Sequence, residues 1–287
     1  MEPIGPTVVR GAESFLLKAK HIDQTFQIDV MAPPGAPKSP LPVIYVTDAS
    51  YGFGVTAQAV SLMQASREFP RAILVGIGYP ASFDMKAIRG LRFRDFCPTE
   101  AKSYVERMRR EMPGEIPDGV VPGGADAFLA FIDRELKPSI ESRYSIDTRD
   151  QTLVGMSLGG LFTLDALFAA PSSFQRYCAL SPSIWWDDQA VLAREAEFAA
   201  QAKDLPVNLF LSIGAMEEAA YPPAQMVTNL YRLDASLRGR KYPNLRLAME
   251  VFPQETHNSV YAASLTRGLR TVFGRAPGCA EWAKLPA

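Results

Sequence analysis

Histidine is almost missing from this chain: 287 residues hold only two, His21 and His257. Cysteine is scarce too, and Cys97, Cys178 and Cys279 are widely spaced and odd in number. That usage excludes a disulfide framework and a Cys/His metal cluster, and it suits a reducing compartment. Cys178 stands in an apolar run and reads as core. Neither sign of charge is in excess, since 30 Lys and Arg against 31 Asp and Glu leave a net charge of −1. No global field therefore draws the chain to nucleic acid or to an anionic membrane, and selectivity for a charged ligand needs a local cluster. The longest apolar stretch, near Leu158 to Ala170, is too short to span a bilayer and is broken by Asp165. Met1-Glu2-Pro3-Ile4-Gly5-Pro6 has neither the basic nor the apolar region of a secretory signal, so a cytoplasmic protein is the expectation. Repeats and low-complexity tracts are missing as well.

What is present is an ordinary globular composition, 47% hydrophobic and 21% charged, with enough length for one large α/β domain over residues 1–287. Strand-like runs recur at Phe26 to Met31, Pro42 to Thr47, Ala72 to Ile77, Thr152 to Met156, Tyr177 to Leu180, Val207 to Ile213 and Leu247 to Phe252. Between them, Val55 to Glu68, Ala125 to Tyr144, Leu158 to Ala169, Gln189 to Lys203, Pro223 to Arg238 and Ser259 to Phe273 space apolar residues three or four apart. The alternation predicts a mostly parallel sheet with helices on both faces and an antiparallel N-terminal edge. Ala32-Pro33-Pro34-Gly35-Ala36-Pro37 reads as a hairpin-type connection. The polar segment at about 80–122 is too long for a connector and reads as a lid-like cover.

The densest signal is Gly155-Met156-Ser157-Leu158-Gly159-Gly160, a G-x-S-x-G turn between a β-branched strand and an apolar helix that Pro171 ends. Such an elbow predicts a positive φ at Ser157, with glycines letting strand and helix pass closely. A serine hydroxyl needs a base to take its proton. His21 lies in a polar surface context, whereas His257 follows the last strand, at the sheet edge that presents Ser157. The acid is expected between them in the chain, after a strand. Glu217 is the first choice and Glu218 the second; Asp187 and Asp188 more naturally cap a helix, and Asp234 reads as an exposed helical residue. For the oxyanion, the amide of Leu158 is one donor, and Ser50, in Thr47-Asp48-Ala49-Ser50-Tyr51, is favoured for the other.

With these residues in place the chain resembles the esterase family of α/β-hydrolases that holds siderophore esterases, esterase D-like enzymes and the antigen 85 mycolyltransferases. Its marks are V-I-Y-V-T-D at 43–48, R-F-R-D-F-C-P-T at 92–99, G-G-A-D-A-F at 123–128, E-L-K-P-S-I-E-S-R-Y at 135–144, S-P-S-I-W-W at 181–186 and I-G-A-M-E at 213–217. The resemblance runs from about Phe26 to Phe273 and leans toward esterases that open ferric enterobactin-type trilactones. It implies an α/β-hydrolase fold, with Ser157, Glu217 and His257 as nucleophile, acid and base. One departure is Ala49, where the family usually has glycine, which implies a differently shaped oxyanion loop.

On the substrate side, Arg92 is the better candidate for an anionic group, because Arg94 beside Asp95 suits a structural bridge. Lys86 and Arg89 add positive charge to the same segment. Trp185 and Trp186 sit near the sheet's carboxyl edge, one or both as an aromatic wall. The expectation is a serine esterase acting on a small-molecule ester, of siderophore type, by chemistry that requires no metal or organic cofactor. Its alternatives are an esterase or acyltransferase for small acyl esters or thioesters and, less so, a non-catalytic binding scaffold.

Overall fold

The runs rich in valine, isoleucine and leucine pair into one sheet in the computed structural model, which describes residues 8–35 and 39–274. The strands are β1 (Ala12–Lys18), β2 (Thr25–Met31), β3 (Leu41–Val46), β4 (Ile73–Gly78), β5 (Ile146–Met156), β6 (Arg176–Leu180), β7 (Asn208–Gly214) and β8 (Arg246–Phe252). Their order is β1-β2-β4-β3-β5-β6-β7-β8. β1 and β2 run antiparallel to their neighbours, and every pairing from β4 to β8 is parallel. This is an α/β-hydrolase fold. β2 and β3 are not paired as a hairpin, contrary to expectation: β2 pairs with β1 and β4, and β3 lies one strand further in.

The helices are α1 (Ala49–Ala65), α2 (Met85–Phe96), α3 (Lys102–Glu111), α4 (Ala125–Phe131), α5 (Lys137–Glu141), α6 (Leu158–Ala169), α7 (Trp186–Gln201), α8 (Glu217–Ala220), α9 (Met226–Arg240) and α10 (Tyr261–Phe273). A π-helical turn at Ile132–Leu136 joins α4 to α5, so the single helix expected over 125–144 is interrupted and stops at Glu141. Alternate strand residues divide the core. Ile44, Val46 and Leu74 pack with α1 and α10 on one face, and Val43, Tyr45 and Val75 with α2, α4, α6, α7 and α9 on the other. Residues Leu158 to Phe168 of α6 are all buried, which explains why that helix is apolar around its whole circumference. Asp234, expected on the surface, is 8% exposed and pairs with Arg238 one turn on.

The 80–122 segment is largely helical, and α2 is anchored. Phe93 and Phe96 are buried, and Phe96 meets the rings of Phe128 and Phe162 at 5.4 and 5.9 Å. The sequence conceals this anchoring because α2 mixes charged and apolar residues, so that the segment reads as polar. Phe96→Ala removes the ring that ties α2 to α4 and α6, and is expected to destabilise the protein by about 3–5 kcal/mol in denaturant unfolding. A detached cover would lose little.

Candidate active site

β5 delivers Met156 to the carboxyl edge of the sheet, and the chain must turn at once into α6. Ser157 makes that turn with φ 59° and ψ −121°, a region that costs an L-residue about 1–3 kcal/mol and persists only where its surroundings enforce it. They do so by proximity. A Cβ on Gly155 would strike the Gly159 carbonyl, one on Gly159 the Thr47 hydroxyl, and one on Gly160 would lie 2.9 Å from the Leu180 carbonyl. The elbow is therefore wedged between β3, β6 and its own helix, with the Ser157 amide donating to the Leu180 carbonyl at 3.0 Å.

β7 and β8 bring the second pair of groups to the same edge. Their two exit loops are stitched by backbone bonds: the Ala215 amide donates to the Phe252 carbonyl at 2.9 Å and the Met216 amide to the Glu255 carbonyl at 3.0 Å. Glu217 opens α8 just there. Its Oε2 lies 2.6 Å from His257 Nδ1, while Oε1 accepts from the Ser181 hydroxyl at 2.6 Å and the Gly214 amide at 2.7 Å. The Glu217 side chain is 1% exposed and that of His257 39%. A carboxylate so buried is tolerable only because each oxygen has partners. Glu218 points elsewhere. Its carboxylate accepts from the Thr228 hydroxyl at 2.7 Å and amide at 2.6 Å, and those bonds hold it below the ordinary range of a glutamate.

A cleft of about 540 Å³ lies over Ser157, with His257 and Ser183 in its wall. Ser183 Oγ is 3.4 Å from Ser157 Oγ, and the Ser183 amide donates to the Ser157 carbonyl at 3.0 Å. The turn Ser181-Pro182-Ser183 after β6 thus touches both the serine and the acid. Aromatic rings of Tyr51, Trp185 and Tyr261 line the cleft; burial pushes the Tyr261 hydroxyl up to about 12, leaving it a neutral hydrogen-bonding group. Two arginines reach the cleft from α2. Arg92 clasps Asp48, Nε to Oδ1 at 2.6 Å and Nη2 to Oδ2 at 2.9 Å. Arg89 is half-exposed, 3.5 Å from Glu115.

Residues 19–230 match the family described as "Putative esterase". The chain belongs to this esterase family. It is 34% identical over 272 residues to the ferri-bacillibactin esterase BesA of Bacillus subtilis, covering 91% of this chain and 89% of that protein. It is 31% identical over 260 residues to the siderophore triacetylfusarinine C esterase of Aspergillus fumigatus, covering 82% of each. The crystal structure of the BES protein from Bacillus cereus superposes with a TM-score of 0.78 at 31% identity, over 95% of this chain and 98% of that one. As a member of the family the protein is an ester hydrolase.

Against the sequence-based expectations, the fold brings Ser157, Leu158 and His257 to one cleft and Glu217 to His257 beneath it. It does not bring Ser50. That residue lies in the first turn of α1, its hydroxyl accepting from the Tyr79 amide at 2.8 Å, and Thr47 and Asp48 line the cleft instead. Ala49 fits without glycine because its methyl fills space left by Gly76, where a Cβ would lie 2.8 Å away. Trp185 lines the cleft, but Trp186 is core: it is fully buried, packs on Phe93 and Tyr104, and its Nε1 donates to the Thr99 hydroxyl at 3.1 Å. Arg92 reaches the cleft already paired, and Arg94 bridges Asp95 as expected. Asp187 and Asp188 cap nothing; they accept from Thr99 and Arg107. Ser181, Ser183, Tyr51 and Tyr261 escaped the sequence reading, although the position of Ser-Pro-Ser at the end of the next strand was an available signal.

The division between the two glutamates predicts opposite outcomes. Glu217→Gln is expected to lower kcat by about 10²- to 10⁴-fold, by removing the charge beside the imidazole. Glu218→Gln should leave kcat on a short ester within about twofold, as steady-state kinetics of both variants would check.

Proposed function

We propose that Ser157, His257 and Glu217 carry serine ester hydrolysis on a siderophore-type ester. The observation behind this is the 2.6 Å contact of His257 Nδ1 with the buried Glu217 carboxylate, at the rim of the cleft that holds Ser157. That contact keeps the proton on Nδ1 and leaves Nε2 as the base. Ser157 Oγ attacks the ester carbonyl carbon while His257 takes its proton. The tetrahedral oxyanion is met by the Leu158 amide, which as the first residue of α6 has no partner within its helix. For the second donor the Asp48 amide replaces Ser50, since Asp48 lines the cleft just ahead of α1. Collapse expels the alkoxide, which takes the proton from His257 and leaves an acyl-enzyme. A water activated by His257 then hydrolyses that ester and restores Ser157.

The substrate class rests on the relatives' names together with the cleft. Aromatic rings and two arginines suit the aryl or hydroxamate arms of an iron carrier, the metal being cargo and no part of the catalytic groups. Two buried reduced cysteines, Cys97 and Cys178, fit a cytoplasmic site of action, where iron would be released after uptake. Among the described residues no helix is long and apolar enough to cross a membrane.

Ser157→Ala is expected to lower kcat by at least a thousandfold and to abolish labelling by a fluorophosphonate. Wild-type rates in that variant would refute the assignment. Comparing a ferric trilactone and a ferric hydroxamate ester with p-nitrophenyl butyrate tests the substrate class: turnover of the butyrate alone would remove siderophores.

A further inference from the structure

We infer that Glu115 cancels the charge of the substrate cleft and so selects an uncharged ferric ester, of hydroxamate type, over a trianionic catecholate ester; this rests on the siderophore reading proposed above. The two kinds of iron carrier differ in charge by simple coordination chemistry. Three singly charged hydroxamates neutralise Fe(III), whereas three doubly charged catecholates leave a trianion. A cleft built for the trianion needs cations that are not already matched. Among the described residues lining this one, the charged groups are Arg89 and Arg92 against Asp48 and Glu115. His257 enters the reaction as a neutral base, and burial keeps the Tyr51 and Tyr261 hydroxyls protonated. The four charges cancel. Lys86 does not change the balance, since it opens onto a separate groove beside Asp84 and Asp118.

Glu115 is set at the rim by the turn that follows α3. Its amide donates to the Met112 carbonyl at 3.1 Å, and its neighbour Ile116 is buried in the core. From α3, Arg109 Nη2 donates to the Pro117 and Val120 carbonyls at 3.0 Å each. The turn is thus fastened on both sides of the carboxylate. The pair with Arg89 does little for the fold, because the contact is long and the side chains are 49% and 42% exposed. What Glu115 contributes is its field. Should Arg89 swing toward a substrate, the carboxylate still lies at the cleft and the total is unaltered. A trianion entering here would shed water without gaining an unmatched cation, and it would meet both Asp48 and Glu115. An uncharged complex meets neither obstacle, and the rings of Tyr51, Trp185 and Tyr261 give it apolar contact.

The test measures kcat/KM for a ferric tris-hydroxamate ester and a ferric tris-catecholate trilactone. It compares the wild type with Glu115→Gln, Glu115→Lys and Arg89→Gln, each checked for folding by thermal unfolding. The wild type is expected to favour the hydroxamate by about tenfold or more. Glu115→Gln should raise the catecholate-to-hydroxamate ratio about 3- to 10-fold at low salt, and Glu115→Lys should raise it further. Arg89→Gln should lower the same ratio. Taking ratios removes the difference in shape between the two esters. The gain in Glu115→Gln should fade as salt is added, which a change of cleft shape would not do. A wild-type preference for the catecholate overturns the inference and leaves the siderophore reading standing. So does a ratio that stays put in both Glu115 variants; if one of them does not fold, the other decides by the same ratio. Turnover of p-nitrophenyl butyrate with neither ferric ester cleaved would instead remove the siderophore reading, and this selectivity with it.

Discussion

Everything at this site follows from one backbone constraint, the left-handed turn at Ser157. A side chain at φ 59° survives only because strand, helix and neighbouring loops leave the backbone no other path. The same crowding forbids a Cβ at positions 155, 159 and 160, and it fixes which neighbours the serine can have. Leu180, at the end of β6, receives the Ser157 amide, so the Ser-Pro-Ser turn that follows must pass directly beside the nucleophile. Thr47 and Asp48, at the end of β3, press on the other side. Oxyanion turn, elbow and acid support are thereby adjacent before any substrate arrives.

The acid is placed by a second and independent device. β7 and β8 are parallel neighbours, so their exit loops emerge side by side, and two backbone bonds join them. Glu217 and His257 lie 40 positions apart in sequence yet share one short contact, and the Ser181 hydroxyl reaches in from β6 to hold the carboxylate's other oxygen. Three consecutive strands thus contribute to one buried charge. Its desolvation is offset by these partners, and an adjacent glutamate, Glu218, is spent on a helix N-terminus instead.

The segment between β4 and α4 combines anchoring with reach. Apolar residues of α2 enter the core beside α4 and α6, while arginines on the same helix extend to the cleft. A helix fastened in this way can hold charge at a fixed place over the site, which a loose loop could not.

The sequence by itself determined the fold class, the elbow and the candidates for base and acid. These are local facts: β-branched runs, helical spacing, glycines about a serine, and a histidine just after the last strand. Strand-to-helix alternation also carried the parallel sheet, because short crossovers permit little else. Other features depended on groups far apart in the chain. Neither propensity nor spacing distinguishes Glu217 from Glu218, and only the stitched β7 and β8 loops aim one of them at His257. Trp185 and Trp186 look alike in sequence, yet one lines the cleft and the other is core, because consecutive residues at a helix start face different ways. Arg92 read as a free cation until its partner, 44 residues earlier, was in view. β1 was invisible because an edge strand with mostly exposed side chains has no apolar pattern. Tertiary structure decided each of these, since pairing energies between distant residues exist only once the chain has closed on itself.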